Sequence, residues 1–155
     1  MPFQIHALPK QPFAALFALS DSELRDRNMR RVTADTQPGF PCRVSLADAD
    51  PGEELILLNH QHLDAASPYA ASHAIYVRKD ADQAQPAADH VPEVLTRRLL
   101  SVRGFNAESL MVEADVVDGG NLAEALNTLF ANPEVTFVHI HNAKQGCFAA
   151  KATRA

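Results

Sequence analysis

Residues 135–152 read VTFVHIHNAKQGCFAAKA, and this stretch decides the fold. Residues 135–141 are a run of β-branched, aromatic and histidine side chains, the composition of a strand. The next five, NAKQG at 142–146, end in glycine and form a turn, and CFAAKA returns as an antiparallel partner. Strand side chains alternate between faces, so Val135, Phe137, His139 and His141 share one side. With 142–146 as the turn, His141 lies opposite Cys147 and His139 opposite Ala149. Two imidazoles and a thiol then crowd one patch.

Immediately upstream, the spacing predicts a helix over 121–131. Leu122, Leu126, Leu129 and Phe130 occupy i, i+4, i+7 and i+8, one apolar face for packing on a sheet. Asn121 is its expected N-cap, Glu124 completes a capping-box spacing, and Asn132-Pro133 ends it. Further back, LTRRLLSVRGF (95–105) and SLMVEADVV (109–117) read as strands with a turn at RGFN. Residues 79–92, KDADQAQPAADHVP, lack an apolar period and contain two prolines, so they read as an exposed loop and the most mobile internal segment.

In the N-terminal half, 3–8 is a short strand. Phe13, Leu16 and Phe17 begin a helical stripe, and Ser20 with Glu23 has the capping-box spacing for a second, mostly charged helical stretch over 21–31. CRVSL (42–46) alternates and reads as a strand paired in a hairpin with EELILLNHQH (53–62). Leu55 to Leu58 are consecutive apolar residues, so that strand is expected to be covered on both faces. HAIYVR (73–78) is a further strand. The sum is an α+β fold, a mostly antiparallel sheet with two or three helices packed on it, in a single domain over 1–155.

Composition agrees. The chain has 155 residues, 46% hydrophobic and 21% charged, enough for one core and far from a disordered profile. Fourteen basic against nineteen acidic residues give −5, which argues against nucleic acid as a partner. No run approaches the length of a membrane helix and no secretory signal is evident, so a cytoplasmic protein is expected, without membrane association. Two cysteines exclude a disulfide scaffold and any four-cysteine zinc site.

Three strings, PCRVSLADADPGEELILLNHQH (41–62), SPYAASHAIYVR (67–78) and HIHNAKQGCFAAKATR (139–154), with the N-terminal ALP..PFA.LFALSD pattern, resemble the bacterial domain-of-unknown-function family 1203. The resemblance implies a compact bacterial domain and carries over no catalytic residue.

The chemistry must come from the residues. His139, His141 and Cys147 form a possible metal set, with zinc the natural ion for imidazole and thiolate ligands. The alternative is a pair of core-edge histidines bonded to backbone. His60-x-His62 is a second same-face pair, which His73 could approach, but the preferred reading is a polar strand end entering a loop. Cys147 beside His141, with Asn142 as orienter, has the logic of a thiol nucleophile, whereas Cys42 reads as core. Ser67-Pro68-Tyr69 with Arg78, Arg97, Arg98, Arg30 and Arg31 offers anion contacts or only a capped turn and surface charge. Asp48, Asp50, Glu53 and Glu54 lack the EF-hand spacing and read as a solvated loop. The expected function is binding of a small molecule, or an accessory role, with His139, His141, Asn142 and Cys147 at the pocket. The rival is a metal- or thiol-dependent enzyme on the same residues, and a third reading is an interaction module forming a homo-oligomer through a strand edge.

Overall fold

The computed structural model describes residues 2–155. In chain order the elements are β1 (Phe3–His6), α1 (Gln11–Ala14), α2 (Asp21–Asp26), β2 (Arg30–Thr33), β3 (Glu54–Leu63), β4 (Ala71–Arg78), α3 (Glu93–Thr96), β5 (Leu99–Phe105), β6 (Met111–Asp118), α4 (Leu122–Ala131), β7 (Phe137–Asn142) and β8 (Phe148–Arg154). The strands form two sheets, one ordered β1-β8-β7-β5-β6 and one ordered β2-β3-β4. Every strand pair is antiparallel. The fold is α+β, but with two sheets where one was expected. Among the described residues only α4 is longer than two turns, and it packs on β5 and β6.

The larger core lies between α4 and one face of the five-stranded sheet. Leu122, Leu126, Leu129 and Phe130 are buried there as one face, against Leu100 and Val102 of β5, Val138 and Ile140 of β7, and Ala150 and Ala152 of β8. Arg154 closes the C-terminal end of α4, donating to the carbonyls of Phe130 (2.7 Å) and Asn132 (3.0 Å), where the helix leaves carbonyls unsatisfied. A second cluster packs Phe13, Leu16 and Leu24 against Ile56 and Leu58 of β3 and Ile75 and Val77 of β4.

Several local expectations change. Asn121 makes no side-chain cap, because it ends a 3-10 turn over Gly119–Asn121 and its backbone (φ −105°, ψ 9°) is not extended. The capping box at Ser20 and Glu23 does form, but α2 ends early. Asn28 adopts φ 60° and Met29 N–H returns to the Leu24 carbonyl at 2.9 Å, after which the chain becomes β2. CRVSL is not a strand. Leu46 N–H bonds the Cys42 carbonyl at 3.0 Å, closing a turn that buries Arg43 between the sheets, so β3 pairs with β2 and β4 instead.

Gly104 and Phe105 lie within β5, and the turn is formed by Asn106 to Leu110. Residues 79–92 contain no helix or strand up to α3. They are nevertheless tied down: Asp89 Oδ1 accepts from Phe3 N–H at 3.0 Å and Ala84 N–H donates to Val44 at 2.9 Å. Among the described residues no helix is long and apolar enough to cross a membrane.

Candidate functional site

On the face of the five-stranded sheet away from α4, β7 presents Phe137, His139 and His141, and β5 presents Ser101 and Arg103 as their cross-strand neighbours. The end of β3 lies over this face. Ile56, Leu58, His60 and His62 alternate on one side of β3, so the apolar pair that anchors the strand also aims His62 inward. Between Gln61 and Leu63 the register slips, and His62 is the extra residue of a β-bulge. A second bulge, at Ala149, lies between the pairs Ile140–Ala150 and His141–Phe148.

These two irregularities bring three imidazoles together. The His62 ring centroid lies 4.8 Å from that of His141 and 5.8 Å from that of His139. One nitrogen from each of the three lies within 4.8 Å of the others. His139 and His141 are 3% and 1% exposed, and His62 is half-buried.

Burial keeps all three rings neutral at pH 7. Desolvation is the leading cause in each case, pushing His62 to about 4, His139 to about 3 and His141 to about 4, with neighbouring cations adding to the effect. Arg103 contributes at all three rings and Lys151 at His139. His141 Nδ1–H donates to the Gly146 carbonyl at 2.9 Å, which leaves its Nε2 lone pair free. Gly146 has φ +78°, a left-handed turn conformation that glycine adopts without strain and that directs this carbonyl. The buried Nδ1 atoms of His62 and His139 have no hydrogen-bond partner. A buried polar nitrogen without a partner costs free energy, typically about 1–3 kcal/mol, unless a ligand or ion satisfies it.

Neutral imidazoles with one ring held by a carbonyl are the donor set of a transition-metal site. Tetrahedral coordination at about 2.0–2.1 Å sets the nitrogens about 3.4 Å apart, a contraction of side chains by about an ångström or more from the widest pair. A cavity of about 430 Å³ opens beside the cluster, lined by His62, His139, Phe148, Lys151, Asp64 and Ser109 among others.

The four predicted pocket residues are divided. His139 and His141 remain together, but Cys147 does not join them. Asn142 N–H bonds the Cys147 carbonyl at 2.9 Å, and His141 pairs with Phe148, so the register is displaced by one residue and Cys147 turns to the opposite side. Likewise His139 faces Lys151 and not Ala149. The set of side chains that could hold a metal is therefore His62, His139 and His141, with His62 in place of Cys147. The joining of the two histidine pairs was visible in sequence only as a repeated His-x-His.

Cys147 and Asn142 instead line a cleft of about 490 Å³ on the other side, with Arg43, His73, Arg97 and Arg98. Asn142 Nδ2–H donates to Cys147 Sγ at 3.4 Å, and Arg43 Nη2–H donates to it at 3.0 Å. No sequence pattern marked Arg43, which is 2% exposed and whose charge burial pushes below its usual range. Cys42 is core, its sulfur accepting from the backbone of Ser45 and Arg78. Ser67 is a turn residue: its hydroxyl donates to the Ser109 carbonyl at 2.7 Å and accepts from Tyr69 N–H. Asp48 is not solvated: its side chain is 1% exposed and holds Arg98 at 2.6 Å and Arg97 at 3.5 Å. Arg31 is occupied by Asp21 and Glu54, and Arg78 by Glu53.

Residues 39–154 match the family described as "Protein of unknown function (DUF1203)", and the chain belongs to that family. No curated protein and no solved structure matches the chain.

Proposed function

Since the DUF1203 family assigns no chemistry, we propose from the chain's own residues that the protein is a metal-binding domain with a three-histidine centre at His62, His139 and His141. The observation that carries this reading is the pair of buried, unpartnered Nδ1 atoms inside a cluster of neutral imidazoles. Zinc fits best: His62, His139 and His141 would supply three nitrogen ligands, and a cavity lined by His62 and His139 adjoins them. Held by these three residues, zinc would supply Lewis-acid activation of a water or of a polarised oxygen, the chemistry of hydrolytic and hydration enzymes. Lys151, cross-strand from His139 and lining the cavity, places an ammonium where an anionic group there would gain charge stabilisation.

Metal analysis of untagged full-length protein tests this. About one zinc per chain is expected, with His62→Ala and His139→Ala each losing it while retaining the far-UV spectrum of the wild type. Protein that remains metal-free after incubation with zinc and desalting would falsify the proposal.

A further inference from the structure

On the opposite side of the β7–β8 hairpin, the cleft above Cys147 carries its own argument. A guanidinium keeps its proton at neutral pH, and a buried charge is expensive without a countercharge. Arg43 is 2% exposed, yet its three hydrogen bonds go to the carbonyls of Phe148 and Pro41 and to Cys147 Sγ. None goes to a carboxylate. The lining of the cleft adds Arg97, Arg98 and Lys144 and contains no aspartate or glutamate. Asp48, behind the wall, is shared by Arg97 and Arg98, and Arg97 also pairs with Glu93 at 2.6 Å, which leaves Arg43 and Lys144 without a carboxylate partner among the described residues. The excess of positive charge belongs to a chain whose net charge is −5, so it is local to this cleft.

A second, independent observation is Asn142. Its residue is 4% exposed, it lines the cleft, and its Oδ1 has no hydrogen-bond partner. That oxygen requires a donor. Leu57, Tyr76 and Leu99 supply an apolar wall. The volume, about 490 Å³, is in the usual range for a small-molecule site.

We propose that this cleft binds a small organic oxyanion that also carries an O–H or N–H donor, seated over the Cys147 sulfur with its charge toward Arg43 and its donor toward Asn142 Oδ1. The site is separate from the imidazole cluster and does not require a metal.

Charge-selective alkylation of untagged full-length protein in EDTA tests it. Iodoacetate (anionic) and iodoacetamide (neutral) each form an S–C bond and release iodide, and mass spectrometry separates Cys147 from Cys42. At Cys147 the iodoacetate-to-iodoacetamide rate ratio should exceed that of glutathione at least tenfold. Millimolar phosphate, which retains an O–H donor, should slow labelling at least fivefold, and sulfate at the same ionic strength should protect less. The rim substitutions Lys144→Glu and Arg97→Glu together should return the ratio to that of glutathione. A ratio no higher than glutathione's, a Cys147 that neither reagent labels in the folded protein, or a ratio indifferent to the double charge reversal overturns the proposal. Equal protection by phosphate and sulfate overturns the role given to Asn142. Failure of the zinc assay leaves all these readouts unchanged.

Discussion

His62 lies flat against Phe148: the ring centroids are 5.4 Å apart and the planes meet at 10°. His139 and His141 meet the same phenyl ring edge-on, at 5.2 and 5.9 Å. One aromatic ring from β8 is therefore the surface against which all three imidazoles are set. Phe148→Leu keeps an apolar residue there but removes the flat stack. Zinc affinity, measured by competition with a chromophoric chelator, should fall about 10–100-fold, the range for loss of a residue that orients metal ligands. An unchanged affinity would show that the histidines are positioned by their strands alone.

Metal-free protein should lose stability as the pH falls. The three histidines take up protons in the unfolded chain near pH 6.5, but in the fold only near 4, 3 and 4. Between these values the unfolded state binds more protons, so stability is present above about pH 6.5 and declines toward pH 3–4. The charges of Arg103, Lys151, His60 and His73 act in the same direction as burial, while hydrogen bonding to the Gly146 carbonyl at His141 and to the His60 backbone at His62 opposes it without overcoming it. Urea midpoints at pH 7, 6, 5 and 4 check this, and His139→Leu should flatten the decline. A midpoint independent of pH over that range contradicts the burial of neutral rings.

Leu126 lies at the centre of the α4 face and is fully buried. Leu126→Ala should reduce unfolding free energy by about 2–5 kcal/mol, through lost burial plus the cavity left behind. A loss below about half a kcal/mol in denaturant titration would show that α4 does not pack as described.

Gly119 is set by close approach. A Cβ there would lie 1.9 Å from the Leu95 carbonyl oxygen and 2.7 Å from that of Arg98, which Gly119 N–H itself bonds at 2.8 Å. Gly120, its neighbour, has open space at the same position. Gly119→Ala should cost about 3 kcal/mol or more, because backbone must move to admit the methyl, whereas Gly120→Ala should stay within about 1 kcal/mol. Comparable thermal shifts for the two variants would refute the contact.

Periodicity determined the parts of the fold that depend on neighbours along the chain. The buried face of α4, the apolar run in β3 and the C-terminal hairpin all follow from residue spacing, because a helix or strand fixes which side chains share a face. The same rule put His139 and His141 together, and the structure keeps them so. Pairing across strands was decided elsewhere. A hairpin closed one residue further in, at Asn142 and Cys147, sends the thiol to the opposite face. The bulges at His62 and Ala149 have no signature in a period of two, because a bulge is the insertion that breaks the period. Likewise the alternation of CRVSL mimics a strand, but burial of Arg43 between two sheets outweighs local propensity. Which residues exist to do chemistry was written in the sequence. Which of them meet was set by packing one sheet over another, since that brings β3 and β7 together without any local interaction to announce it.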